Sequence, residues 1–155
     1  MWNRQKSATL SLVVCIFFTT LLTAGLFLGP WAVEMWFRLY RGYEPGGENL
    51  RFMVRIFSYC FYPSAVFGYV TLYSLIKLLG NIRKGEIFIP SNVRHLRCIS
   101  WCCFIVALIT AVGGVFYLPF FCVAVAAAFI GLLLRVVKNV MEHAVEIKAE
   151  NELTI

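Results

Sequence analysis

The chain has 155 residues, of which 61% are hydrophobic and only 14% charged, with a formal net charge of +6. A soluble domain runs nearer one half apolar and one quarter charged, so this composition excludes that class and points to an integral membrane protein. The positive balance is explained by anionic lipid headgroups at the cytoplasmic face, and it predicts no direct nucleic acid binding.

A spanning helix needs ~20 mostly apolar residues to cross a ~30 Å hydrocarbon core, so the gaps between charges mark the spans. No charge falls between Lys6 and Glu34, which places a first span at residues 8–29. That apolar run is too long, and lacks a following A-x-A site, for a cleaved signal peptide. The outer segment GPWAVEMWFRLYRGYEPGGEN comes next. Trp31, Met35, Trp36, Leu39 and Tyr40 share one helical face while Glu34, Arg38 and Arg41 share another, the pattern of an interfacial helix lying flat on the outer leaflet. The alternative is a prolongation of the first span. Gly42 can stop this helix, and Pro45-Gly46-Gly47 turns the chain back.

The gap from Arg55 to Lys77 gives a second span at residues 56–79. It carries Tyr59, Tyr62, Tyr69 and Tyr73 at helical spacings that align them in one stripe. A phenol in hydrocarbon needs a hydrogen-bond partner, so the stripe should face other helices or line a pocket for a small amphipathic or cationic ligand. Pro63 lies in the same helix. The cytoplasmic loop follows at residues 80–98, LLGNIRKGEIFIPSNVRHLRCISW with its flanks. Gly80 and Asn81 can end the second helix, Gly85 marks a turn, and Ser91 is a candidate N-cap for a helix beginning at Asn92. Arg83, Lys84, Arg94 and Arg97 gather there.

Between Arg97 and Arg135 lie 37 uncharged residues, roughly 55 Å as one helix and too long for a single crossing. Gly113, Gly114 and Pro119 supply a break, giving spans at residues 99–116 and 120–138. Small residues recur at packing intervals, Gly25 with Gly29, Ala107 with Ala111 and Ala127 with Gly131, and fit close helix contacts within one protomer or in a homo-oligomer. The tail, residues 139–155, continues the last helix into the cytoplasm. Leu133, Val137, Val140, Ala144 and Ile147 form an apolar seam at alternating spacings of four and three. Glu142, Glu146 and Glu150 form an acidic strip at spacing four that should lie near a basic surface, either the loop arginines and lysine or a partner.

With both termini inside, ten basic residues fall on the cytoplasmic side and four, all arginines, fall outside, which orients the chain N-in and C-in as a multi-pass protein of the cell membrane. The expected architecture is therefore an all-α, single-domain membrane protein: four transmembrane helices in two hairpins, an outer interfacial helix, and a fourth helix extended into the cytoplasm. His95, Cys98 and Cys102 stand three and then four apart and could offer one helix face to a metal, but no fourth ligand or C-x-x-C pair accompanies them, so no metal or cofactor is expected. Apart from Lys77 and Lys138 at their inner ends, the spans hold no Asp, Glu, Lys or His, and no catalytic motif occurs, so no enzyme is expected.

The stretch GEIFIPSNVRHLRCIS and the terminal ENELTI, separated by a two-span hairpin, resemble a bacterial family of small four-helix membrane proteins classed as a domain of unknown function. Its pattern is a G-x-x-F loop motif, an Asn, a Leu-Arg-type pair and an E-N/D-x-L-T-I/V tail. Gly85, Phe88, Asn92, Leu96, Arg97, Glu150, Asn151, Leu153 and Thr154 match those positions. This chain departs where the family often has a Phe and a Gly just inside the last helix, here Val140, Met141 and their neighbours. Members are often encoded beside a Cro-type helix-turn-helix regulator. The resemblance implies a membrane component of a regulatory pair; together with the basic loop and the acidic strip this gives Arg83, Lys84, Arg94, Arg97, Glu142, Glu146, Glu150, Asn151, Leu153 and Thr154 as the expected partner-binding residues. The alternative is a subunit of an oligomeric small-molecule transporter or channel in which the tyrosine stripe lines the path.

Overall fold

A computed structural model describes residues 4–153, with side chains described over residues 9–151. Four helices follow in order: α1 Arg4–Arg41, α2 Glu48–Arg83, α3 Pro90–Gly114 and α4 Leu118–Leu153. Each is long and apolar enough to cross a membrane. They form a four-helix bundle in which backbones meet in chain order, α1 on α2, α2 on α3 and α3 on α4. The inner helix α3 is the most enclosed of the four, and α1 and α4 leave broad apolar faces exposed, as lipid-facing helices must. The turn end of the bundle gathers the α1–α2 and α3–α4 connections; the loop end gathers the α2–α3 connection and the continuation of α4.

The outer interfacial helix does not exist as a separate element. Residues 31–41 prolong α1 without interruption past Pro30. Proline removes the hydrogen bond to the carbonyl four residues back, here that of Leu26, which normally weakens a helix. The Tyr62 hydroxyl donates to that carbonyl across the α1–α2 interface at 3.3 Å. Further out, Glu34 pairs with Arg38 one turn on, Trp36 stacks on Tyr40 at 4.2 Å, and Phe37 is buried with its ring edge-on to Tyr43 and Tyr117. The segment is held upright by Phe37 rather than released to lie on the leaflet. Gly42 then ends the helix at φ +65°, and Glu44-Pro45-Gly46-Gly47 turns with a hydrogen bond from the Gly47 amide to the Glu44 carbonyl at 3.1 Å and Gly46 at φ +80°, the geometry of a type II turn.

Gly113 and Gly114 act as packing surfaces, not as the break. Both are helical, and neither has a positive φ. The reversal falls at residues 115–117, where the Phe116 and Tyr117 amides both bond the Gly113 carbonyl, at 3.1 and 3.0 Å. A Cβ on Gly113 would lie 2.6 Å from the Cys60 sulfur, and one on Gly114 would lie 3.0 Å from the Phe121 backbone. Glycine is needed there because α2 and α4 come so close.

The glycines of the other small-residue pairs are also packed inside the chain. Gly25 and Gly29 face the stacked rings of Phe61 and Phe57, and Gly131 faces Cys103 and Phe104. The close approach at Gly131 lets the Ser100 hydroxyl donate to its carbonyl at 2.8 Å.

Gly113→Ala should therefore lower stability by about 1–3 kcal/mol in denaturant titration of the purified protein in mild detergent, the range for overpacking a filled core. Adding Cys60→Ala should restore most of the loss. Gly80→Ala, where the added methyl meets nothing within 4 Å, should cause no loss.

Candidate functional site at the loop end

The α2–α3 connection is built around two asparagines. α2 does not end at Gly80 and Asn81 but continues to Arg83, and Gly85 closes it at φ +84°. The Glu86 amide bonds the Asn81 carbonyl at 3.0 Å and the Gly85 amide bonds the Ile82 carbonyl at 3.0 Å. This crossed pair satisfies two of the last helical carbonyls in a Schellman arrangement.

At the other side of the loop, α3 starts at Pro90 with Ile89 as its cap residue and no side-chain cap bond. Ser91 is thus not the N-cap. Proline suits the first helical position because its missing amide hydrogen has no intrahelical partner there anyway.

Asn92 lies one turn into α3 with 0% exposure. Its Nδ2 donates to the carbonyls of Glu86 and Ile87, each at 2.8 Å, and its Oδ1 accepts from Asn81 Nδ2 at 2.8 Å. Two carbonyls can only accept, so the amide orientation is fixed by its partners. One side chain thereby joins the end of α2, the loop and the start of α3.

Around this core the charged residues divide. Arg83, Lys84 and Arg94 are exposed and form no ion pair among the described residues. Arg97 instead reaches across to α4 and bonds Glu142 at 2.9 Å. Lys138 reaches the other oxygen of the same carboxylate at 2.5 Å and also donates to Asn139 Oδ1 at 2.9 Å. The hydrogen bond from Lys138, assisted by Arg97, holds the Glu142 carboxyl below its ordinary range. Glu146 pairs with His143 at 3.3 Å when that histidine is protonated. Glu150 and Asn151 lie exposed on the last turns of α4. For Leu153 only the backbone is described, and Thr154 lies outside the described residues.

The α4 extension has two faces. Lys138, Met141, Glu142 and Val145 are half-buried. On the seam, Ala144 is half-buried, whereas Leu133, Val137, Val140 and Ile147 are exposed, Val140 by 65% and Ile147 by 59%.

The remaining sequence candidates separate. Cys102 is buried, and the described residues hold no group of three or more His, Cys, Asp or Glu side chains able to bind a metal, so His95, Cys98 and Cys102 do not make a site together. The tyrosine stripe lies mainly along the α1–α2 seam. Tyr62 bonds Leu26, Tyr69 shares a 2.8 Å hydrogen bond with Thr23, Tyr73 lies under Lys77 at 5.6 Å, and Tyr59 is exposed. A cavity of about 250 Å³ does exist at the turn end, but it is lined by Trp36, Phe37, Phe57, Tyr117 and Phe120 among others, not by the stripe.

Sequence reasoning missed the Asn81–Asn92 link and the set Ser100, Trp101 and Arg135 described below. The only signal for the first was two carboxamides flanking a glycine turn at the edge of apolar segments.

A family model described as a protein of unknown function (DUF2975) matches residues 9–155. The chain belongs to the DUF2975 family. The chain is 26% identical to the uncharacterized membrane protein YoaS of Bacillus subtilis (strain 168), over 99% of both chains. No solved structure matches it.

Replacing Asn92 with Leu removes three hydrogen bonds whose partners Asn81, Glu86 and Ile87 are half-buried or exposed and can be rehydrated, so a loss of about 2–3 kcal/mol is expected, near ~1 kcal/mol per bond. Asn81→Leu removes one bond from the set and should cost about 1 kcal/mol; the difference is read from unfolding midpoints of the two variants. Glu142 supplies a second check. Its carboxyl is held low in the folded protein, so its contribution is fully present above the unfolded glutamate value of about 4.3 and is lost as pH falls through the lower folded value. The stability difference between wild type and Glu142→Gln should shrink on acidification below pH ~4 and stay constant from about pH 6 to 8.

Proposed function

We propose that this integral membrane protein is a non-enzymatic regulatory or interaction protein that presents the α2–α3 loop and the end of α4 to a cytoplasmic partner. The observation that carries this reading is the exposed seam on α4. Val140 and Ile147 lie beyond Arg135, the first charge on the helix, and so outside the hydrocarbon, yet both remain open. Apolar side chains left open at helical spacing beyond the hydrocarbon fit the face that a partner helix covers. At the same end of the bundle the exposed cations Arg83, Lys84 and Arg94, which form no ion pair among the described residues, give an acidic partner a second point of contact.

The sidedness rests on the excess of Lys and Arg at the loop end, which favours the cytoplasm for that end and for both termini. By the family resemblance the partner is a helix-turn-helix transcriptional regulator. The uncharged interiors of the spans support a role without catalysis.

A photo-crosslinking residue placed at Val140 or Ile147 in living cells should give an adduct with a helix-turn-helix regulator, and deleting residues 142–155 should change that regulator's transcripts. Adducts with lipid or with this chain alone, together with unchanged transcripts, contradict the reading.

A further inference from the structure

We propose that the cleft between α3 and α4 at the loop end binds the phosphate of an anionic glycerophospholipid, held by Arg97, Arg135 and Lys138 beside the Trp101 ring. The cleft is lined by these four residues and Ser100, with a volume of about 50 Å³. One water needs only ~10–15 Å³ of such space, so the cleft admits a small oxyanion.

The site is built rather than merely charged. The Arg135 guanidinium lies 5.2 Å from the centre of the Trp101 ring, within cation–π distance. The Lys138 side chain is only 14% exposed. Ser100 is buried and anchored on the Gly131 carbonyl, so the wall behind the cations is rigid.

Charge in the cleft is unbalanced. Arg97, Arg135 and Lys138 contribute three positive charges, and Glu142 answers with one negative charge. Its two oxygens bridge Arg97 and Lys138, so those cations are already spaced to grip a two-pronged oxyanion, while Arg135 has no anion among the described residues.

Depth selects the source of the phosphate. On α3, residues 98–114 carry no charge, and on α4 residues 118–134 carry none. Each stretch of 17 residues rises about 26 Å from the turn end, close to the ~30 Å hydrocarbon thickness. Arg97 and Arg135 therefore stand together where acyl chains give way to headgroups. A lipid phosphate arrives there in the plane of the bilayer, and basic pockets between membrane helices are known to select anionic headgroups.

The test uses the full chain purified in neutral detergent, titrated with short-chain phosphatidylglycerol, phosphatidylcholine or inorganic phosphate, with bound lipid read by native mass spectrometry. Phosphatidylglycerol should be retained by wild type and by Arg51→Gln/Arg55→Gln at the opposite end, and retained at least about tenfold less by Arg135→Gln/Lys138→Gln. If that variant fails to fold, Glu142→Gln gives an opposite and independent sign: removing the competing carboxylate should raise retention. Equal retention by Arg135→Gln/Lys138→Gln, equal retention of phosphatidylcholine, lower retention by Glu142→Gln, or displacement of the lipid by equimolar inorganic phosphate each overturns the proposal; the last would assign the cleft to a soluble anion.

Discussion

Asn92 is enclosed on all sides and has three hydrogen bonds to make, and the loop end of the molecule is arranged so that it makes them. A carboxamide left unpaired at such a position would be expensive, so the chain must bring the Asn81 side chain and two consecutive carbonyls to it at once. Meeting that demand fixes the rotation of α2, the path of the loop and the first turn of α3 together. From there α3 carries Arg97 toward Glu142, and so the placement of the α4 extension follows from the same hub. Closed by the Schellman turn at Gly85, the connection is a rigid corner from which the charged residues project.

Elsewhere the structure is governed by the absence of water to correct local faults. The carbonyl of Leu26, deprived of its partner by Pro30, is served by Tyr62 from the next helix. Thr19 and Thr23 return their hydroxyls to the backbone one turn back, each at 2.8 Å, and Ser100 reaches the bare backbone at Gly131. Apolar attraction between helices is weak when lipid is equally apolar, so close glycine contacts and these few polar bonds carry the association. Because Gly25, Gly29, Gly113, Gly114 and Gly131 are packed within the chain, they are not open to a second copy, whereas the aliphatic seam on α4 and the broad face of α1 are among the apolar surfaces left uncovered.

Four helices long and apolar enough to cross a membrane were legible from charge gaps, since a charge in hydrocarbon is costly whatever the tertiary structure. The gaps mark the hydrocarbon boundary, however, and not where the helix ends. Charge gaps therefore leave residues 31–41 open between a flat outer helix and a prolonged first helix: the ring contacts of Phe37 with Tyr43 and Tyr117 keep the outer turns in line, and Tyr117 lies 80 residues away in the chain. Gly113 and Gly114 were read as a turn because composition reports what glycine permits, while the closeness of Cys60 and Phe121 that requires it is a property of the assembled bundle. At the site, the acidic strip and basic loop pointed to each other, yet only Arg97 has the reach to pair with Glu142. Periodicity revealed the tyrosine stripe but not its partners, and no periodic signal links Asn81 to Asn92.

Hydrogen exchange of the Asn92 side-chain amide, followed by nuclear magnetic resonance on the protein with nitrogen-labelled asparagine, tests the hub directly. With both Nδ2 protons held by the Glu86 and Ile87 carbonyls, exchange should be slowed by several orders of magnitude relative to a free asparagine and should accelerate only under conditions that open the whole α2–α3 corner. Exchange at the rate of a solvent-exposed asparagine would contradict the account.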